Sequence, residues 1–468
     1  MLFNSPTFLW FLVIVYFIFR LLPQGRPRTI FLILASYVFY MSWNPPFVLL
    51  LLFSTVLDYN VGLGMARTES PRRRRALLLM SVVGNLGVLG FFKYANFFMA
   101  NFQVLVRAVG VAFQPQPYNI VLPLGISFYT FQTMSYSLDV YRGAREPTRD
   151  WLNFALYVTF FPQLVAGPIV RSGQFLPQVE RHQRFQWPAF SMGCNLILMG
   201  LIKKMLLADN LAVFINRVWA DPAGASMSEA WFAHWGFIMQ MYFDFSGYTD
   251  IARGLGYLFG YRLPLNFTLP LLATGIRDLW QRWHITLSSW ARDYIYLPLG
   301  GSRRGAARAD LNLFVTWSLI GLWHGASWTF VLFGMMNGVY LVLERRIFGR
   351  RRLTDLTGWR RVIAVLVTFE LLSLSGIPFR AQGMADVFTM LRHMFVPGAA
   401  PATAAPWGVH MWGTFLVAVI GHGLAFSRRW DPTLRGYPPW VVPLLYGAAA
   451  AGIMLYGATG NEFVYFQF

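Results

Sequence analysis

Cysteine is nearly missing from this chain: Cys194 is the only one in 468 residues. That excludes an intrachain disulfide, and its apolar surroundings suit a packed thiol rather than a nucleophile. Charge is also scarce, at 13% of residues, about half of what a soluble globular protein carries. Acidic residues are the scarcer sign, 20 against 39 basic ones. No Walker loop, CxxC pair, HExxH helix or GxSxG elbow occurs, which removes the common nucleotide, zinc and serine-hydrolase chemistries. No soluble domain, internal repeat or low-complexity array is evident either.

What is present is hydrophobic length. Apolar residues make up 56% of the chain, and many runs approach the roughly 20 residues that cross a bilayer. Backbone groups inside lipid must be satisfied within the segment. The expected fold is therefore an all-α polytopic integral membrane protein, a single transmembrane domain over residues 1–468 with about 11–13 membrane segments. The net charge of +19 comes in short basic clusters between apolar runs. That is the pattern of cytoplasmic loops and of contact with anionic membrane lipids, not of a nucleic-acid surface.

The clusters orient the chain. Arg20 lies at the end of the first apolar run, Phe8–Leu22, with Arg26 and Arg28 after it, and four consecutive arginines, Arg72–Arg75, follow the third. Placing both inside puts the N-terminus on the extracytoplasmic side; the same count puts the C-terminus there and makes 379–408 an outer loop. Phe8–Leu22 lacks a basic leader and a small-residue cleavage site, so it reads as a retained span. Ile120–Val140 is apolar but carries Gln132 and Ser137, polar groups that at such depth face protein or water. Phe160–Arg171, with Pro162, Gly167 and Pro168, reads as a broken helix. In DFSGYTDIARG, Asp244 and Asp250 fall on different faces of a helix, so structural ion pairs with residues such as Arg253 and Arg262 are expected rather than a carboxylate dyad.

Two stretches carry the candidate chemistry. Asp278–Gly301 mixes Trp, Tyr and charge around His284, a composition for the headgroup level. Asn312–Glu344 is apolar throughout yet holds His324 between Trp323 and Gly325. A titratable group at that depth is costly and marks a functional site; the alternative is a neutral imidazole that packs against a neighbouring helix. Arg303, Arg304 and Arg308 precede this stretch, and Arg345, Arg346 and Arg350–Arg352 follow it. If both clusters are cytoplasmic the chain must turn back, but about 33 residues are too few for two full spans. A short helical hairpin or broken helix bent near Gly321–Gly325 is expected, with one long tilted helix as the alternative. His182, His234, His393, His410 and His422 are scattered, and no third ligand is spaced for a metal.

Five motifs, in order, carry a family resemblance: LPLGISFYTFQ from Leu122, FFPQLVAGPIVR from Phe160, DFSGYTDIARG from Asp244, WQRWHITLSSWARDYIYLPLGG (Trp280–Gly301) and GLWHGASWTFVLFGMMNG (Gly321–Gly338). Together they resemble the membrane-bound O-acyltransferase (MBOAT) superfamily, in its bacterial alginate O-acetyltransferase branch. The resemblance implies a helical ring with broken or re-entrant helices around a central catalytic funnel, in the bacterial cytoplasmic membrane. It implies acetyl-CoA as acyl donor with no tightly bound cofactor or metal. It also implies a polysaccharide acceptor reached directly or through an extracytoplasmic acetyltransferase partner. The family's catalytic histidine maps to His324 and its second motif histidine to His284. Asp278, Arg282, Trp323 and Gln132 are candidates for binding or lining the funnel. The terminal FVYFQF (Phe463–Phe468) resembles an aromatic motif whose tyrosine, here Tyr465, is proposed to relay the acyl group; an interfacial aromatic anchor is the other reading. Outside acyl transfer, a glycan or lipid transporter would also have many helices and a broken core, but two related halves are not evident.

Overall fold

The computed structural model describes residues 1–181, 184–349, 351, 353–399, scattered positions between 412 and 420, 441–457 and Phe463. Among the described residues every regular element is helical, and no strand occurs. In chain order these are α1 (Pro6–Leu21), α2 (Arg26–Met41), α3 (Val48–Ala66), α4 (Pro71–Leu89), α5 (Ala95–Ala108), α6 (Ile126–Tyr141), α7 (Trp151–Thr159), α8 (Phe161–Leu164), α9 (Ser172–Val179) and α10 (Trp187–Leu201). They continue as α11 (Asp209–Ala220), α12 (Met227–Phe259), α13 (Ile276–Arg282), α14 (Ile285–Ala291), α15 (Ala306–His324), α16 (Trp328–Phe348), α17 (Gly358–Arg380), α18 (Met384–Phe395) and α19 (Val441–Tyr456). Three stretches, Pro45–Ala66, Pro71–Ala108 and Gly358–Arg380, are each long and apolar enough to cross a membrane unaided. Large apolar side chains on them, Leu79, Val83, Leu366 and Val367 among others, face outward, as lipid rather than water requires.

The helices gather into two compact units, Met1–Cys194 with Ala252–Pro264, and Asn195–Ile251 with the chain from Leu265 onward. In the first unit, polar groups hold apolar helices together. Asp58 on α3 is fully buried and accepts hydrogen bonds from Ser81 and Asn85 of α4 and Ser137 of α6, the last two at 2.7 and 2.6 Å. Gln132 donates to the Tyr157 carbonyl at 2.6 Å, and the Tyr157 hydroxyl donates back to the Gln132 carbonyl at 3.0 Å. The polar residues of α6 thus face protein, as expected. Phe160–Arg171 is broken as its prolines require, with only the single turn α8 inside it.

In the second unit the acids of DFSGYTDIARG form ion pairs with lysines. Between α10 and α11 the chain widens into a π-helical turn, Ile202–Ala208. Its Lys204 lies 2.8 Å from Asp244 and 2.9 Å from Asp209, while Lys203 reaches Asp250 at 2.6 Å. Lys204, Asp209 and Asp244 are all buried. The approach is close because Gly200 and Gly247 face each other; a Cβ on Gly200 would lie 2.5 Å from the Gly247 carbonyl oxygen.

The stretch around His324 is a helical hairpin, α15 and α16, that bends at Gly325–Ser327. The bend overlaps the expected Gly321–Gly325 only at Gly325, since Gly321 stays inside α15, and a single long helix is excluded. The expected shortness is corrected, since α15 has 19 residues and α16 has 21, about 28 and 31 Å long. Both helices run past the apolar stretch into its arginine-bearing flanks, and that supplies the missing length. Gly321 and Gly334 meet at the crossing, where a Cβ on Gly334 would lie 2.3 Å from the Trp317 carbonyl oxygen. Gly334→Ala is therefore expected to push the two helices apart and cost about 1–3 kcal/mol, read as a lowered melting temperature in detergent; an unchanged melt would show that the crossing relaxes freely.

The segment expected as a loop over 379–408 starts two residues later, because α17 continues through Pro378 to Arg380, and the amphipathic helix α18 follows.

Candidate active site

His324 is the last residue of α15 and is 7% exposed. The extended Gly325 that follows stops the helix there. A Cβ on Gly325 would fall 2.2 Å from the Phe330 ring, so a larger residue would displace the wall of the site. The imidazole lies edge-on to Phe333 of α16 at 5.6 Å and to Phe379 of α17 at 5.0 Å. Phe379 is a site residue that the sequence hid, because the preceding Pro378 reads as a helix end.

His284 sits between α13 and α14 with φ +44° and ψ +52°, a left-handed conformation uncommon for a residue with a Cβ and worth a functional question. Asn266 holds it there. The Asn266 side-chain oxygen accepts from the Thr286 amide at 3.2 Å and the Thr286 hydroxyl at 2.9 Å, and His284 Nδ1 lies 3.3 Å away. An amide oxygen only accepts, so this contact places the His284 proton on Nδ1 and leaves Nε2 as the basic nitrogen. The Asn266 carbonyl also takes the Ile285 amide at 3.0 Å. Nothing in the local pattern singles out Asn266, 18 positions before His284. Asn266→Ala is expected to release this turn, lowering turnover about 10-fold or more, a loss on the scale of two net hydrogen bonds. Retention of full turnover would limit Asn266 to folding.

The structure brings the two histidines to one cavity, small and almost wholly apolar, of about 20 Å³, walled chiefly by Met241, Trp280, Trp317, Ile320, Phe333 and Phe379. Trp323 lies against both, its ring 4.9 Å from that of His324 and 6.2 Å from that of His284. Beside it is a second cavity of about 720 Å³ with a different character, lined by Arg277, Arg292, Arg345 and Arg346. Ser288, Trp317 and Ile320 belong to the walls of both. Asp310 holds Arg345 and Arg346, and Arg292 pairs with Asp293 at 2.7 Å, so this chamber keeps a basic excess suited to an anionic ligand.

The remaining candidates lie elsewhere. Asp278 and Arg282 form an ion pair across one turn of α13 at 2.7 Å, and Asp278 also accepts from the Thr274 amide at 3.1 Å; neither lines the cavity. Gln132 belongs to the first unit and does not line it either. His234 pairs with Glu370 at 3.1 Å, and His393 is buried in α18. Tyr465, His182, His410 and His422 lie outside the described residues. Phe463, just before Tyr465, stacks on Tyr248 at 4.7 Å and packs at 5.5 Å against Phe245, which lies edge-on to His284 at 4.7 Å. Among the described residues no group of three acidic, histidine or cysteine side chains could hold a metal.

Residues 147–378 match the model of the MBOAT, membrane-bound O-acyltransferase family. A probable alginate O-acetylase, AlgI, of Pseudomonas aeruginosa is 37% identical over 401 residues, covering 84% of this chain and 75% of its own. The chain belongs to the membrane-bound O-acyltransferase family. Within that family its resemblance is to the alginate O-acetylase branch; the Azotobacter vinelandii member is 38% identical over 404 residues, 84% of this chain and 78% of its own. A peptidoglycan O-acetyltransferase of Helicobacter pylori is 33% identical over 425 residues, 84% of this chain and 80% of its own. A teichoic acid D-alanyltransferase of Bacillus subtilis is 25% identical over 281 residues, 56% and 71% of the two chains. The protein is an integral membrane O-acyltransferase, and both histidines of its cavity fall inside the matched region.

Proposed function

We propose that this O-acyltransferase takes an acetyl group from acetyl-CoA on the cytoplasmic side of the bacterial inner membrane and passes it to a hydroxyl reached from the other side. The end product is an O-acetylated exopolysaccharide such as alginate, made with an extracytoplasmic acetyltransferase partner. The carrying observation is the adjacency of the two cavities: a basic chamber suited to a polyanionic donor shares the walls Ser288, Trp317 and Ile320 with an apolar cavity that holds both histidines.

In this reading Arg277, Arg292, Arg345 and Arg346 bind the phosphates of CoA, which suits guanidinium geometry. The thioester enters between Trp317 and Ser288 and presents its carbonyl to His324. His324 takes the proton of the acceptor hydroxyl as that oxygen attacks the thioester carbon. The tetrahedral intermediate then collapses, the carbon–sulfur bond breaks, and the imidazolium returns its proton to the leaving CoA thiolate. His284, fixed by Asn266, orients the donor or the acceptor. The first acceptor is Tyr465, whose phenol carries the acetyl group outward; the seat of Phe463 beside Phe245 supports a C-terminal segment that reaches this unit.

The test is chemical. Protein supplied with isotope-labelled acetyl-CoA is expected to release CoA and show an acetyl mass on the C-terminal peptide. Unchanged polymer acetylation by Tyr465→Phe would end the relay idea. Cells lacking the protein are expected to lose O-acetyl groups from their exopolysaccharide. A peptidoglycan acceptor is the second reading, favoured by the Helicobacter pylori relative over the same 84% share of the chain. Loss of acetyl from the wall polymer alone would select it.

A further inference from the structure

The difference in size between the two cavities carries an inference about which acyl groups the site takes. The chamber of about 720 Å³ shares a wall with a cavity of about 20 Å³, room for roughly one small, water-sized group. Trp317 and Ile320 of α15 stand on the shared wall, 7% and 4% exposed. Trp317 is braced by Trp280 of α13, the ring centroids 4.2 Å apart. Beyond His324 the space closes again, because Phe333 and Phe379 cross edge-on at 5.0 Å, and Phe330 meets Phe379 at the same distance. The cavity that His324 lines is therefore about methyl-sized, and aromatic rings wall it. Packed aromatic walls relax only partly, so each added methylene is costly.

We propose that Trp317 and Ile320, backed by the Phe333–Phe379 wall, form an acyl-length gate that admits two-carbon thioesters and rejects longer ones. The proposal rests on the reading of His324 as the transfer base and adds to it the residues that select the donor's acyl length. A bulky acyl group fails at the cavity and not at the chamber, because the arginines hold a part of the donor that is the same for every acyl chain.

The experiment uses the full-length protein in lipid nanodiscs. CoA release from acetyl-, propionyl- and butyryl-CoA is followed with a thiol reagent, with water or an alginate oligosaccharide as acceptor. Each added methylene is expected to lower kcat/KM roughly 5- to 150-fold, so butyryl-CoA, with two more, should fall about 25-fold or more below acetyl-CoA. Trp317→Ala should raise the butyryl-to-acetyl ratio about 10-fold or more. Ile320→Ala, which leaves the Trp280–Trp317 contact in place, should raise it by a smaller factor. A merely structural defect would lower all donors together and leave the ratio unchanged. Butyryl-CoA used within 3-fold of acetyl-CoA by the unaltered protein, or ratios unmoved in both variants, would overturn the gate while leaving acyl transfer standing. Normal acetyl transfer by His324→Ala would instead remove the mechanism on which the gate rests.

Discussion

Replacing His324 by alanine is expected to lower acyl transfer about 10²–10⁴-fold, the usual contribution of a positioned general base. The size of the loss follows from where the side chain is. His324 ends a buried helix between Phe333 and Phe379, in a cavity whose walls offer little other polar chemistry. His284 shares the cavity, but its Nδ1 is engaged with Asn266, and its backbone is held in a left-handed turn. It is fixed in its own position in the cavity and does not move to take the place of His324. The measurement is CoA release and acetyl transfer, with a thermal melt beside it. A folded variant that transfers at the normal rate would show that His324 only packs.

Lys204→Met should have the largest effect on stability, about 3–5 kcal/mol, as expected when one partner of a buried ion cluster is removed. The lysine stands between Asp209 and Asp244 at 2.9 and 2.8 Å, and all three are buried. Without the ammonium, two buried carboxylates face an apolar side chain. The melting temperature in detergent should fall sharply, and most of the loss should return when Asp209→Asn and Asp244→Asn are added. A melt unchanged by Lys204→Met alone would mean that water already reaches the cluster.

Much of the site was legible from the cost of placing charge in lipid. His324 stands out because an imidazole in an apolar run needs a reason, and the arginines on both flanks require the chain to return. The hairpin follows from those two facts. Its length does not, because α15 and α16 carry arginines inside their ends, where long side chains can reach the headgroups while the backbone stays helical. The partners of Asp244 and Asp250 were hidden because a π-helical turn shifts Lys203 and Lys204 off the register that helical spacing assumes. Phe379 was hidden by Pro378, and Asn266 by distance along the chain. Gln132 was read correctly as a polar group facing protein, but its role is to tie α6 to Tyr157 in the first unit.

The most direct test seals the protein in proteoliposomes of defined orientation and supplies labelled acetyl-CoA only to the arginine-bearing face. Transfer of label to an acceptor hydroxyl confined to the opposite side is expected, together with stoichiometric CoA release on the donor side, and both should vanish in His324→Ala. Label transfer that persists in His324→Ala, or that occurs only when donor and acceptor share one side, would contradict transfer across the membrane through a base at His324.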